Sequence, residues 1–104
     1  MPSEFVKVAS TSELLPGEMR MIEIEDERIL LTNVEGNYYA VSEVCTHTEC
    51  PLSEGLLDGE VVECSCHGSQ FSVKTGAVEG PPAFEDLAVY PVRVEGEDIL
   101  IGPT

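Results

Sequence analysis

The chain has 104 residues, 42% of them hydrophobic, and a formal net charge of −15 from 20 acidic and 5 basic side chains. This length predicts a single domain, residues 1–104, and the acidic balance excludes nucleic acid and disfavours anionic membranes, because both need a basic surface. No apolar run reaches the ~18 residues that a membrane helix needs, so we expect a monomeric, cytoplasmic protein whose acidic residues either keep it in solution or attract basic partners.

Alternating apolar and polar residues predict short strands along most of the chain. A single helical turn capped by Ser12 is expected before Pro16. One hairpin is predicted across Asp26–Glu27 and another at the end of the chain, where Pro91 marks an edge strand or a bulge. Short strands with frequent turns predict an all-β, antiparallel sandwich or barrel. The predicted strands are Glu4–Ala9, Glu18–Glu25, Arg28–Val34, Tyr38–Val44, Glu60–Cys64, Gln70–Val73, Leu87–Gly96 and Asp98–Gly102.

All four cysteines and both histidines of the chain lie in two short segments, residues 45–50 and 64–67. Each segment contains a closely spaced pair, Cys45 with His47 and Cys64 with His67. Cys45 directly follows one predicted strand and Cys64 ends another. If these strands are neighbours, the two loops face each other and can hold one object between them.

The two Cys/His pairs supply two thiolates and two imidazoles. These four ligands suit one tetrahedral zinc ion, but structural zinc sites usually have about two to four residues between paired ligands. Cys45 and His47 have a single residue between them, which strains two bonds to one ion. Two sulfide-bridged irons, one bound by cysteines and the other by histidines, remove this strain and form a Rieske centre. A colourless structural zinc module is the alternative to this red-brown iron–sulfur protein.

The segments "CTH" and "CSCHGSQF" resemble the two halves of the ligand motif of Rieske-type [2Fe–2S] ferredoxins. The resemblance covers about residues 38–101 and implies one [2Fe–2S] cluster per chain. It implies Cys45 and Cys64 on the buried iron, and His47 and His67 on the outer iron near solvent. It also implies the Rieske fold, an antiparallel β-sandwich of three sheets with a small cluster-binding subdomain, here about residues 42–83. Two imidazole ligands predict a potential of about −150 to +300 mV, against about −400 mV for all-cysteine plant-type clusters.

The same resemblance assigns roles to residues around the ligands. Rieske subunits of cytochrome bc complexes have bridged cysteines at the places of Cys50 and Cys66, which implies a disulfide; two buried, inert thiols are the alternative. Ser69 falls where those subunits have a serine that bonds a bridging sulfide, although an ordinary loop serine is the alternative. Phe71 replaces a tyrosine whose hydroxyl bonds a ligand sulfur, so we expect a potential below the upper end of the family's range.

The resemblance predicts a soluble one-electron carrier that is not an enzyme by itself. It would pass electrons from a flavin-dependent reductase to an oxygenase or a similar terminal enzyme. The alternative is a Rieske subunit of a larger redox enzyme, such as a nitrite reductase small subunit, an arsenite oxidase small subunit or a bc-type complex. The cysteine pair Cys50 and Cys66 favours this alternative, because many ferredoxins of aromatic oxygenases lack it.

Overall fold

The computed structural model describes residues 5–45, 50–66, 68–80 and 85–102. Within these ranges the backbone forms short strands and two single-turn 3-10 helices, Thr11–Glu13 and Leu52–Glu54. The strands are β1 Val6–Ser10, β2 Met19–Ile24, β3 Glu27–Val34, β4 Asn37–Ser42, β5 Leu56–Asp58, β6 Val61–Glu63, β7 Gln70–Ser72, β8 Val78–Gly80, β9 Val89–Tyr90, β10 Val92–Glu95 and β11 Asp98–Ile101.

The strands form three sheets, and neighbouring strands within each sheet are antiparallel. The first sheet has the order β1-β11-β10, the second β2-β3-β4-β9, and the third β5-β6-β7-β8. Consecutive strands pair throughout the third sheet and across most of the second, as expected for chains that turn back through short hairpins. The predicted all-β fold with three antiparallel sheets is therefore confirmed. The division into a subdomain of about residues 42–83 stays a prediction.

The second sheet lies between the other two sheets. Its longest strand, β3, therefore has buried side chains on both faces. Ile29 and Leu31 contact a first core shared with the first sheet, which also contains Ile99 and Ile101. Leu30 and Val34, which point to the opposite face of β3, contact a second core shared with the third sheet. A strand covered on both sides reads as a continuous apolar run instead of an alternating one, which explains the sequence "RILLTNV". The buried members of the second core are Leu30, Val34, Val41, Cys45, Leu52, Val62, Cys64, Phe71, Val73 and Leu87.

The hairpin between β2 and β3 is confirmed, but its turn lies one residue earlier than predicted. Ile24 pairs with Glu27, so the two-residue turn consists of Glu25 and Asp26. These residues have φ values of 46° and 70°. Two-residue hairpins of this kind need positive φ at both central positions, because only that twist matches the flanking strands.

The strand predicted over Leu87–Gly96 is wrong as one continuous element. It divides at Pro91 into β9, which pairs with β4 in the second sheet, and β10, which pairs with β11 in the first. Both strands lie at the edge of their sheets, where proline's missing N–H is tolerated. Pro91 therefore marks the place where the chain passes from one sheet to the other.

Three short elements differ from the sequence prediction. Strands β5 and β8, three residues each, were not predicted because such segments are too short for a periodic pattern. The first 3-10 turn begins at Thr11, so Ser12 is not its cap. The residue before this turn is Ser10, and its backbone N–H donates to Glu13 Oε1 at 2.8 Å.

Candidate metal centre

The first ligand loop, residues 45–50, leaves the second sheet after β4. Cys45 is 1% exposed and belongs to the second core. Its backbone N–H donates to the carbonyl of Cys50 at 3.0 Å, and Val44 forms an isolated bridge with Pro51. The two ends of this loop are therefore held side by side, and the side chain of Cys45 points into the apolar interior.

The second ligand loop, residues 64–69, leaves the third sheet after β6. Cys64 is also 1% exposed. Its N–H donates to the carbonyl of Ser69 at 2.8 Å, and its carbonyl accepts from Gly68 N–H at 3.1 Å. Gly68 has a φ of +78°, a left-handed conformation that glycine adopts without strain. These bonds close the loop tightly on itself.

A disulfide between Cys50 and Cys66 joins the two ligand loops, with a Cα–Cα distance of 6.5 Å. This confirms the disulfide prediction, and the alternative of two inert thiols is wrong. Cys64 Sγ lies within 4.8 Å of both sulfur atoms of the bridge. The two loops thus meet as expected, but not because their strands are neighbours: Cys45 follows a strand of the second sheet and Cys64 a strand of the third.

The two cysteines outside the disulfide are the two that the sequence predicts as iron ligands. Cys45 and Cys64 lie in the same buried core. A thiolate is an unfavourable charge in apolar surroundings unless a cation compensates it, whereas iron–sulfur clusters are held by thiolates shielded from solvent. The paired burial of these thiols therefore fits a [2Fe–2S] cluster between the loops. His47 and His67, the other two predicted ligands, lie outside the described residues.

Two further residues of the sequence analysis line the same region. Ser69 and Phe71 are both fully buried, at 0% exposure. Phe71 is part of the second core with both ligand cysteines. The role of the Ser69 hydroxyl towards a bridging sulfide stays a prediction.

The sequence analysis missed one buried polar contact next to the first ligand loop. Glu43 is 2% exposed and contacts Ser53 in the second 3-10 turn. Glu43 lies inside the strand predicted over Tyr38–Val44, and nothing in the local sequence indicates that its carboxylate is buried. In the described part of the chain, no helix is long and apolar enough to cross a membrane.

Two loops joined by a disulfide, each with a buried cysteine outside the bridge, fit the binding site of an iron–sulfur cluster. The chain belongs to the Rieske [2Fe–2S] domain family, whose sequence model matches residues 4–91. It therefore holds one [2Fe–2S] cluster, as the sequence predicted, and the zinc alternative is wrong.

The most similar proteins include ferredoxin components of aromatic-ring dioxygenases. The chain is 46% identical over 98 residues to the biphenyl dioxygenase ferredoxin subunit of Pseudomonas sp. strain KKS102, covering 93% of this chain and 90% of that protein. The ferredoxin of carbazole 1,9a-dioxygenase from Nocardioides aromaticivorans IC177 is 31% identical, with a TM-score of 0.93 over 98% of this chain and 100% of that one. A further match, 32% identical with a TM-score of 0.92, covers 97% of this chain and 94% of a chain in the complex of reduced oxygenase and oxidized ferredoxin in carbazole 1,9a-dioxygenase. These matches confirm the Rieske ferredoxin fold and the predicted electron-carrying function.

Proposed function

We propose that this chain passes single electrons from a flavin-dependent reductase to the terminal oxygenase of an aromatic-ring dioxygenase. The observation that carries this proposal is the 46% identity with a biphenyl dioxygenase ferredoxin subunit, over nearly the full length of both proteins. A solved complex of a similar ferredoxin with its oxygenase supports the acceptor. The reductase is inferred from the need for an electron donor.

We assign the cluster ligands to four side chains, two from each loop. Cys45 and Cys64 hold the inner iron, an assignment that their shared burial supports. His47 and His67 hold the outer iron, because each follows a ligand cysteine closely in the sequence. The cluster, when bound, accepts and releases one electron. The polypeptide shields the two thiolates, so we expect electrons to pass to a partner through the histidine ligands.

The acidic surface supports docking to basic partners. With 20 acidic and 5 basic side chains, the chain attracts a protein face rich in lysine and arginine and repels another copy of itself. The chain then works as a monomeric cytoplasmic carrier and performs no catalysis alone. In this proposal, residues of about 42–83 form the cluster-binding subdomain that approaches the partner.

The disulfide favours a second candidate, a Rieske subunit of a larger redox enzyme. Bridged cysteines at the places of Cys50 and Cys66 are typical of bc-type subunits, and the bridge is present here. Co-purification of the native chain with a large catalytic subunit would decide for this candidate.

The proposed function is tested by reconstitution with the purified reductase and terminal oxygenase of the biphenyl dioxygenase system. We expect rapid oxidation of the pre-reduced chain on mixing with oxidised oxygenase, and biphenyl turnover only when all three proteins are present. The matched control is C64S, which removes one proposed ligand. If the holoprotein reduces neither this oxygenase nor the oxygenase of the carbazole system, the proposal is contradicted.

A further inference from the structure

One buried carboxylate lies at the base of the first ligand loop, and the proposed electron transfer does not use it. Glu43 is 2% exposed and precedes Cys45 by two residues. Removing a carboxylate from water costs free energy unless hydrogen bonds replace its hydration. The contacts of Glu43 therefore indicate what its burial achieves.

Ser53 binds both carboxylate oxygens of Glu43. The backbone N–H of Ser53 donates to Oε1 at 2.9 Å, and its hydroxyl donates to Oε2 at 2.5 Å. Ser53 lies in the second 3-10 turn, Leu52–Glu54, whose early N–H groups have no acceptor within the turn. The carboxylate thus fastens this turn to the end of β4, as a capping side chain fastens the start of a helix.

The backbone of Glu43 adds two more connections. Its N–H donates to the carbonyl of Arg28 at 3.1 Å, and its carbonyl accepts from Leu52 N–H at 2.7 Å. Glu43 therefore connects β3, the second 3-10 turn and the strand that leads into the ligand loop.

These connections continue directly to the ligand cysteine. From Glu43 the chain forms a short ladder in which Val44 pairs with Pro51 and Cys45 N–H donates to the carbonyl of Cys50. Cys45 and Cys50 form the last rung of this ladder. A displacement of the Ser53 turn is therefore transmitted to both cysteines, one a proposed iron ligand and the other half of the disulfide.

We propose that Glu43 is a positioning residue: through Ser53 it holds the backbone of Cys45 and Cys50 at the geometry that the cluster and the disulfide require. The inference rests on the proposed ligand role of Cys45. It is independent of which partner receives the electron.

The test compares variants of the isolated, cluster-loaded chain. E43A removes both hydrogen bonds with Ser53, and S53A removes the hydroxyl while keeping the backbone N–H. E43Q keeps the shape, since its amide oxygen accepts from Ser53 N–H and its NH₂ donates to the hydroxyl. E54A is the matched control, because Glu54 is an exposed carboxylate in the same turn.

Two readouts report on the cluster itself. One is the rate at which an iron chelator bleaches its visible absorbance, and the other is the line shape of its electron paramagnetic resonance spectrum in the reduced state. We expect E43A to bleach about tenfold faster than the native chain and to broaden the spectrum, in line with the loss of two partly buried hydrogen bonds. S53A should show a smaller change of both quantities, and E43Q and E54A should stay within about twofold of the native rate.

Thermal unfolding separates positioning from general stability. If E43A lowers the melting temperature but bleaches at the rate of E54A with an unchanged spectrum, Glu43 has only a structural role and the inference is wrong. Should E43A not fold, S53A carries the test, and native values of both readouts in S53A would overturn it. None of these measurements involves a reductase or an oxygenase, so their outcome is distinct from that of the proposed function.

Discussion

The disulfide between Cys50 and Cys66 joins two loops that come from different sheets. Cys50 closes the loop that follows β4 of the second sheet, and Cys66 lies in the loop that follows β6 of the third. Backbone hydrogen bonds join the two ends of each loop, and among the described residues the bridge is the covalent cross-link between the loops. The bridge therefore adds to the packing of the second core in holding Cys45 and Cys64 near each other.

Removing the bridge should lower stability and loosen the cluster. The two cysteines are 16 residues apart, and closing a loop of this size restricts the unfolded chain by about 3 kcal/mol. We expect the variant C50A/C66A to lose about that much free energy of unfolding in urea and to release iron faster than the native chain. Incubating the native protein with a thiol reductant is the control. Equal unfolding curves for the variant and the oxidised native chain would contradict a structural role of the bridge.

Replacing Ser69 by alanine should lower the midpoint potential. Ser69 is fully buried beside Cys64, and a hydroxyl that bonds a sulfide stabilises the extra negative charge of the reduced cluster. One kcal/mol of such stabilisation corresponds to about 40 mV for a one-electron couple. We expect S69A to lower the potential measured by voltammetry by about that amount. S65A, at an exposed serine in the same loop, is the control; an unchanged potential in S69A would refute the proposed bond.

Adding a side-chain atom at Gly55 should disturb the second ligand loop. A Cβ at this position would collide with the backbone carbonyl of Glu63, the residue before Cys64. Because backbone cannot yield as a flexible side chain does, we expect G55A to cost about 3 kcal/mol of unfolding free energy. The control is G96A, where a Cβ meets open space and only a left-handed φ of +64° opposes alanine, at about 1–2 kcal/mol. If G55A loses less unfolding free energy than G96A, the backbone of β6 moves to make room for the added Cβ and the prediction is wrong.

Tyr90 should titrate at unusually high pH and make stability fall there. Burial, followed by the hydrogen bond to Glu27 and the negative charge of Glu27, raises the pKa of Tyr90 from 10.0 to about 12. Its hydroxyl donates to Glu27 Oε2 at 2.7 Å, between β9 and β3. The folded chain keeps the phenol protonated while the unfolded chain loses the proton near its usual pKa. Stability from this group is thus complete below about pH 10 and is lost as the pH rises towards 12.

Ultraviolet absorbance titration of the native chain measures the pKa of Tyr90 directly, with Y90F as the reference. We expect one phenol to titrate near pH 12 in the native chain and to be missing in Y90F. E27Q should lower the pKa of Tyr90 only in part, because burial, the largest cause, remains. If all three tyrosines of the chain lose their protons near pH 10, the result is inconsistent with the buried contact between Tyr90 and Glu27.

The sequence predicts the fold well where strands are long and the pattern is regular. The hairpin of β2 and β3 and the closing hairpin of β10 and β11 both follow from alternation and turn residues, and both are confirmed. The third sheet is harder, because its strands have three residues each and take their stability from packing on the second core instead of from a periodic pattern.

The site, like the fold, can be predicted from the sequence only in part. The spacing of cysteines and histidines led to the family and, through the resemblance, to the bridge between Cys50 and Cys66. The Glu43–Ser53 contact could not be predicted, since its partners are 10 residues apart and a glutamate before a loop gives no local sign of burial. Its existence depends on how the second 3-10 turn packs against β4, which is a tertiary property.

Voltammetry of the cluster-loaded chain as a function of pH tests the central claim most directly. A cluster with two cysteines on one iron and His47 and His67 on the other should have a potential between about −150 and +300 mV. The potential should fall as the pH becomes alkaline, because bound imidazoles then lose protons on oxidation. A pH-independent potential near about −400 mV, typical of four thiolate ligands, would contradict the account.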